Sequence, residues 1–141
     1  MNLYYGSDIL YYRLMQDIGP VTTSWSITNK MILDGGGHTI TIAGTSLMSV
    51  RGTIDNLIVD GWMEGGSPFG VLGGGVLSNV VSNVHLTTYI NFPHGPNYSG
   101  NPSDVAGIAS INGGTIINCV YTGTIIHPLS NSNNDLAGIC T

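Results

Sequence analysis

The chain is predicted to be all-β and to wind as a parallel β-solenoid of about five coils, and three observations predict it. A phrase of the form Gly-(Thr/Val)-(Ile/Leu)-x-Asn-apolar occurs three times, as GTIDNL at 52–57, GVLSNV at 75–80 and GTIINC at 114–119. Its spacing is regular: Asn56 to Asn79 is 79 − 56 = 23 residues, and Asn79 to Asn118 is 118 − 79 = 39, one such period plus 16. The composition agrees, with 21 glycines in 141 residues, β-branched aliphatics and 8% charged residues, a mixture that suits short strands and tight corners and not a helical bundle. A hydrophobic share of 42% at a net charge of −5 supports a folded chain rather than a disordered one.

Taken in order, residues 1–24 are tyrosine-rich and amphipathic in either period, and are expected to cap the first coil or form a first turn. Coils are expected over 25–141, within one domain. The segment 30–42 (KMILDGGGHTITI) reads as an early coil, two apolar stretches joined by a glycine corner. A second phrase precedes each Asn phrase: LMSV at 47–50, FGVL at 69–72, AGIA at 106–109 and AGIC at 137–140. Each coil is therefore expected to carry two short strands. The 16 additional residues are YINFPHGPNYSGNPSD at 89–104, which hold three of the six prolines and break the apolar pattern as a surface insertion does.

Parallel coils stack about 4.8 Å apart, so equivalent residues lie one above another. Asn56, Asn79 and Asn118 are expected to form a corner ladder, because asparagine tolerates a left-handed backbone and its amide bonds the coils above and below. Leu57, Val80 and Cys119 follow them as inward residues. Cys119 and Cys140 occupy apolar slots and read as buried thiols rather than a disulfide.

The order YYRLMQDI, ILDGGGHTITI, VRGTIDNLIVDG, INGGTIINCVYTGTI and NNDLAGI, spanning about residues 11 to 141, resembles the GLUG-type repeats of bacterial and phage surface proteins. The resemblance implies a right-handed β-solenoid with a structural, adhesive or cell-surface role. The insertion and FGVL at 69–72 depart from that repeat.

The residues favour no catalytic, cofactor or metal site. Asp34 and Asp60 precede glycines as turn aspartates do, and Asp55 is an outward repeat residue. His38, His85, His94 and His127 lack metal-ligand spacing. The glycine triplets 35–37 and 73–75 lack a following Lys-Ser/Thr and read as corners. Three fixed cations, Arg13, Lys30 and Arg51, leave no basic stripe for nucleic acid, and no apolar run is long enough to insert in a membrane. The N-terminal stretch also lacks the order of a secretory signal.

Tyr89, Phe92, His94, Asn97 and Tyr98 in the insertion form a candidate binding loop for a glycan or host surface. Leu136 and Ile139, in an opening strand without its Asn phrase, form a candidate assembly edge for self-association or a partner subunit. The expected function is a non-catalytic structural or adhesive component of a surface, fibre or virion, outside the cell. The alternatives are a carbohydrate-active β-helix and an ice-binding protein, which needs Thr-x-Thr arrays repeated on successive coils; Thr39-x-Thr41 and Thr122-x-Thr124 stand apart in the sequence.

Overall fold

In a computed structural model of the chain, residues 8–44, 48–87, 105–126 and 136–139 are described; all their regular structure is β-strand and every strand pair is parallel. The first coil comprises β1 (Leu10–Arg13), β2 (Ile18–Val21) and β3 (Trp25–Ile27). The second has β4 (Met31–Asp34), β5 (Thr39–Gly44) and β6 (Met48–Val50), and the third β7 (Thr53–Asp55), β8 (Ile58–Glu64) and β9 (Phe69–Val71). The fourth comprises β10 (Val76–Ser78), β11 (Val81–Ser82), β12 (His85–Thr87), β13 (Val105–Ala106) and β14 (Ala109–Asn112). The fifth comprises β15 (Thr115–Ile117), β16 (Val120–Tyr121), β17 (Thr124–Ile126) and β18 (Leu136–Ala137).

Three sheets run along the stack, and the fold is a parallel β-solenoid. The first sheet is five-stranded in the order β1-β4-β7-β10-β15, one strand from each coil. The second takes β2, β5 and β8, then β11 with β12 and β16 with β17; the third runs β14-β9-β6-β3. Along the first sheet the inward ladder is Leu33, Ile54, Leu77 and Ile116, with Tyr12 in register on the first coil but exposed. Ile54 and Leu77 are fully buried, as are Ile40 and Val59 of the second sheet and Val50 and Val71 of the third. Residues of period two thus face one continuous apolar core.

The recurring glycine has a steric cause. A Cβ at Gly75 would overlap the Val50 carbonyl oxygen, and one at Gly114 the Gly75 carbonyl oxygen. Coils approach that closely because Val76 N–H donates to the Gly52 carbonyl at 2.9 Å and Thr115 N–H to the Gly75 carbonyl at 2.9 Å.

Residues 10–21 form part of the first turn, since β1 and β2 pair with β4 and β5. The 23-residue step holds from Ile54 to Leu77, and the earlier coil is shorter, the register partners Leu33 and Ile54 being 54 − 33 = 21 residues apart. Two expectations need correction. The first three coils carry three short strands each rather than two. The second phrase is not one equivalent unit. Val50 pairs with Val71 rather than Leu72, and Ala109 pairs with Phe69. Ala106 pairs instead with Ala137, in a separate two-stranded sheet β13-β18. Corner length is the physical reason: Leu72-Gly73-Gly74 lengthens one corner, with Gly74 at φ 84°, and the following strand resumes in phase only after it.

Register also locates the insertion. Glu64 pairs with Thr87, 23 positions on, whereas Phe69 pairs with Ala109, 40 positions on, so the additional residues enter between Thr87 and Ala109.

Candidate functional site

Asn56, Asn79 and Asn118 occupy the same corner of the last three coils, immediately after β7, β10 and β15. All three have left-handed backbones, with φ of 54°, 53° and 50°. Each corner is two residues long, an asparagine and then Leu57, Val80 or Cys119, because Asp55 pairs with Ser78 and Ile58 with Val81. In the second coil the same corner is the four-residue Gly35 to His38, where Gly36 and Gly37 supply φ of 60° and 76°.

The asparagines are exposed, so they do not satisfy buried polar groups. The side chains of Asn79 and Asn118 clamp the stack from outside. Asn79 Nδ2 donates to Asp55 Oδ1 at 2.8 Å and to Ser78 Oγ at 3.1 Å, and Asn118 Nδ2 reaches Asn79 Oδ1 at a longer 3.4 Å. On the preceding coil the partner of Asn79 is thus Asp55 and not Asn56, while on the following coil it is Asn118. Leu57 and Val80 are fully buried, while Cys119 is a partly buried free thiol because it lies in the fifth coil; burial pushes its pKa up. Cys140 lies outside the described residues.

Of the three aspartates, Asp34 and Asp55 are register partners and Asp60 lies on the second sheet opposite Thr41. Adjacent coils place the two paired carboxylates at a separation of the order used by retaining glycosidases, about 5 Å. The electrostatics run the other way. Asp34 accepts from Tyr11 Oη at 2.7 Å and from Gly36 N–H at 2.8 Å, with Arg13 Nε 3.5 Å away, and these contacts lower its pKa. A general acid needs a raised pKa. Asp55 holds Asn79, and Asp60 Oδ1 accepts its neighbour's Gly61 N–H at 2.6 Å.

His38 Nδ1 lies 3.3 Å from Asp17 Oδ1, and His85 Nδ1 lies 2.7 Å from Thr124 Oγ1, so both bridge successive coils. Among the described residues no group of three or more His, Cys, Asp or Glu is placed to hold a metal ion. Thr39 and Thr41 share the second sheet with Thr124, but Ile58, Asp60 and Trp62 intervene on the next coil.

The candidate loop residues Tyr89, Phe92, His94, Asn97 and Tyr98 lie outside the described residues, as does His127. Leu136 begins β18, paired with Val105 on one side, and Ile139, beyond that strand, is 47% exposed. Trp62 was not singled out from the sequence, yet half of it is exposed on the outward face of β8, the longest strand. The signal was present in the alternation of Asp60, Trp62 and Glu64 against the inward Val59 and Met63.

Comparison of the chain with protein-family models, curated proteins and solved structures finds no match in any of the three.

Proposed function

We propose that the chain is a non-catalytic structural or adhesive β-solenoid, a stiff stack serving a surface, fibre or virion assembly outside the cell, of the kind built from GLUG-type repeats. One observation carries the reading: Asp34, Asp55 and His85, among the side chains that chemistry would draw on, are used to tie one coil to the next. Tyr11 and Arg13 of the first coil hold Asp34 of the second, Asp55 of the third holds Asn79 of the fourth, and Asn83 and His85 of the fourth hold Thr122 and Thr124 of the fifth. Rigidity is what such clamps provide. Association with a second copy or a partner subunit uses the edge at Leu136 and Ile139, and its support is the exposure of Ile139.

The test is a screen of purified protein for cleavage of neutral and uronate polysaccharides, read as new reducing ends or unsaturated products. The scaffold reading expects none. Turnover that disappears in Asp34→Asn or Asp55→Asn would replace it with the glycosidase reading, which the stacking of those two residues favours. Light scattering across a concentration series tests the edge: association weakened by Ile139→Asp is expected, and a monomer throughout removes that part of the proposal.

A further inference from the structure

On the outward face of the second sheet, Trp62 stands in a row with Ala43 of the coil before and His85 of the coil after. The row explains the posture of the indole. Ala43 is small and Gly44 has no side chain, so the benzo edge of Trp62 rests over the Gly44 backbone, and a Cβ there would meet Cη2 at 3.3 Å. The rest of the side chain stays in solvent, leaving it 50% exposed. The indole is thus held in place against a backbone shelf while much of its surface remains open to solvent.

The groups around it are hydrogen-bonding ones. Glu64, two residues further along the strand, is exposed and has no partner among the described residues. Asp60, two residues before, uses Oδ1 on Gly61 N–H and retains Oδ2. His85 engages Nδ1 with Thr124 and retains Nε2. No lysine or arginine occurs in β5, β8, β11, β12, β16 or β17.

We propose that this face binds an uncharged glycan, with one pyranose ring stacked on Trp62 and its hydroxyls bonded by Glu64, Asp60 and His85. The C–H face of a pyranose is apolar with slightly positive hydrogens, which suits the negative face of an indole. Carboxylates without cations accept from vicinal hydroxyls but repel uronates and sialic acids. A cationic ligand is served less well, since a single ring is not the aromatic cage that holds quaternary ammonium groups. The site goes beyond the scaffold proposal by adding a ligand to it, and the two fail separately: the scaffold can stand without a sugar.

Titration of the full chain with cellohexaose, maltohexaose, mannohexaose and chitohexaose, with polygalacturonate and choline as charged controls, decides it. At least one neutral oligosaccharide is expected to bind with a Kd of about 1 mM. Trp62→Ala is expected to weaken it about tenfold or more and Glu64→Gln about threefold, with Trp62→Phe intermediate and circular dichroism and melting unchanged. Should the alanine variant fail to fold, Trp62→Phe and Glu64→Gln still decide. The proposal is overturned if no neutral oligosaccharide binds, if binding is indifferent to Trp62 and Glu64, or if choline or polygalacturonate is the ligand that depends on them.

Discussion

Asn79 reaches back across the stack and donates its Nδ2 to Asp55 Oδ1 at 2.8 Å, joining the corner of the fourth coil to the last residue of β7 in the third. The backbone of Asn79 is left-handed at φ 53°, so one residue makes both the bend and the clamp. These roles can be separated by substitution. Asn79→Gly keeps the conformation and loses the amide, and is expected to cost about 0.5–1 kcal/mol, the net worth of one exposed hydrogen bond. Asn79→Ala loses both and is expected to cost about 2 kcal/mol, because a Cβ in the left-handed region adds about 1 kcal/mol or more. Thermal melts of the two variants check the order; equal losses would remove the conformational role.

Gly75 and Gly114 are expected to tolerate nothing larger. A Cβ at either would occupy the place of a carbonyl oxygen of the neighbouring coil, which itself belongs to the backbone and cannot swing away. Gly75→Ala should destabilise by about 3 kcal/mol, at the upper end of overpacking costs. Gly73→Ala serves as the control, since a Cβ there meets nothing within 4 Å. Urea midpoints of the pair should differ widely.

The contacts at Asp34 make an acid-sensitive clamp. Its folded pKa lies below the ordinary 3.8, chiefly through the Tyr11 hydrogen bond and then Gly36 N–H, so its contribution to stability is present above that value and is lost as pH falls through the lower folded one. Tyr11 has the opposite sign. Its pKa is raised above 10.0, chiefly by the same hydrogen bond, so its contribution is present below pH 10.0 and is lost as pH climbs through the raised value. Melting temperature against pH should therefore fall at both extremes. Because the shared hydrogen bond is the largest cause of both shifts, Asp34→Asn should flatten both limbs, whereas Tyr11→Phe should remove the alkaline limb and weaken the acid one without abolishing it, Gly36 N–H and Arg13 still holding Asp34 down.

Replacing residues 89–104 by a short Gly-Ser link should leave the coils folded, with a melting temperature within a few degrees of the parent. Loop length is thermodynamically mild, about 0.6 kcal/mol per doubling, and β12 and β17 keep their register partners on both sides of the insertion point. Loss of the cooperative transition would mean that the segment contributes to the core.

The features legible in the sequence were those set by local physics. A glycine-asparagine phrase requires a close backbone approach followed by a left-handed corner, and both requirements hold wherever the phrase stands, as at Gly75 and Asn79. Period-two alternation likewise marked Ile54 and Leu77 as inward without knowledge of their neighbours. Corner lengths were not legible in the same way, because Asp-Gly-Gly-Gly and Asp-Asn turn the chain equally well while differing by two residues, and only stacking shows which residues then face each other. Likewise the long corner that begins at Leu72 leaves Val71, not Leu72, opposite Val50. The N-terminal tyrosine segment fitted strand or helix alone, and pairing of β1 with β4 made it a strand. Tertiary structure also decided the environments: Asp55 rather than Asn56 receives the Asn79 amide, and Trp62 stands in solvent because its strand turns that side outward over Gly44. A parallel stack brings together residues a whole coil apart, and the distance between them along the chain is set by corners whose composition does not encode their length.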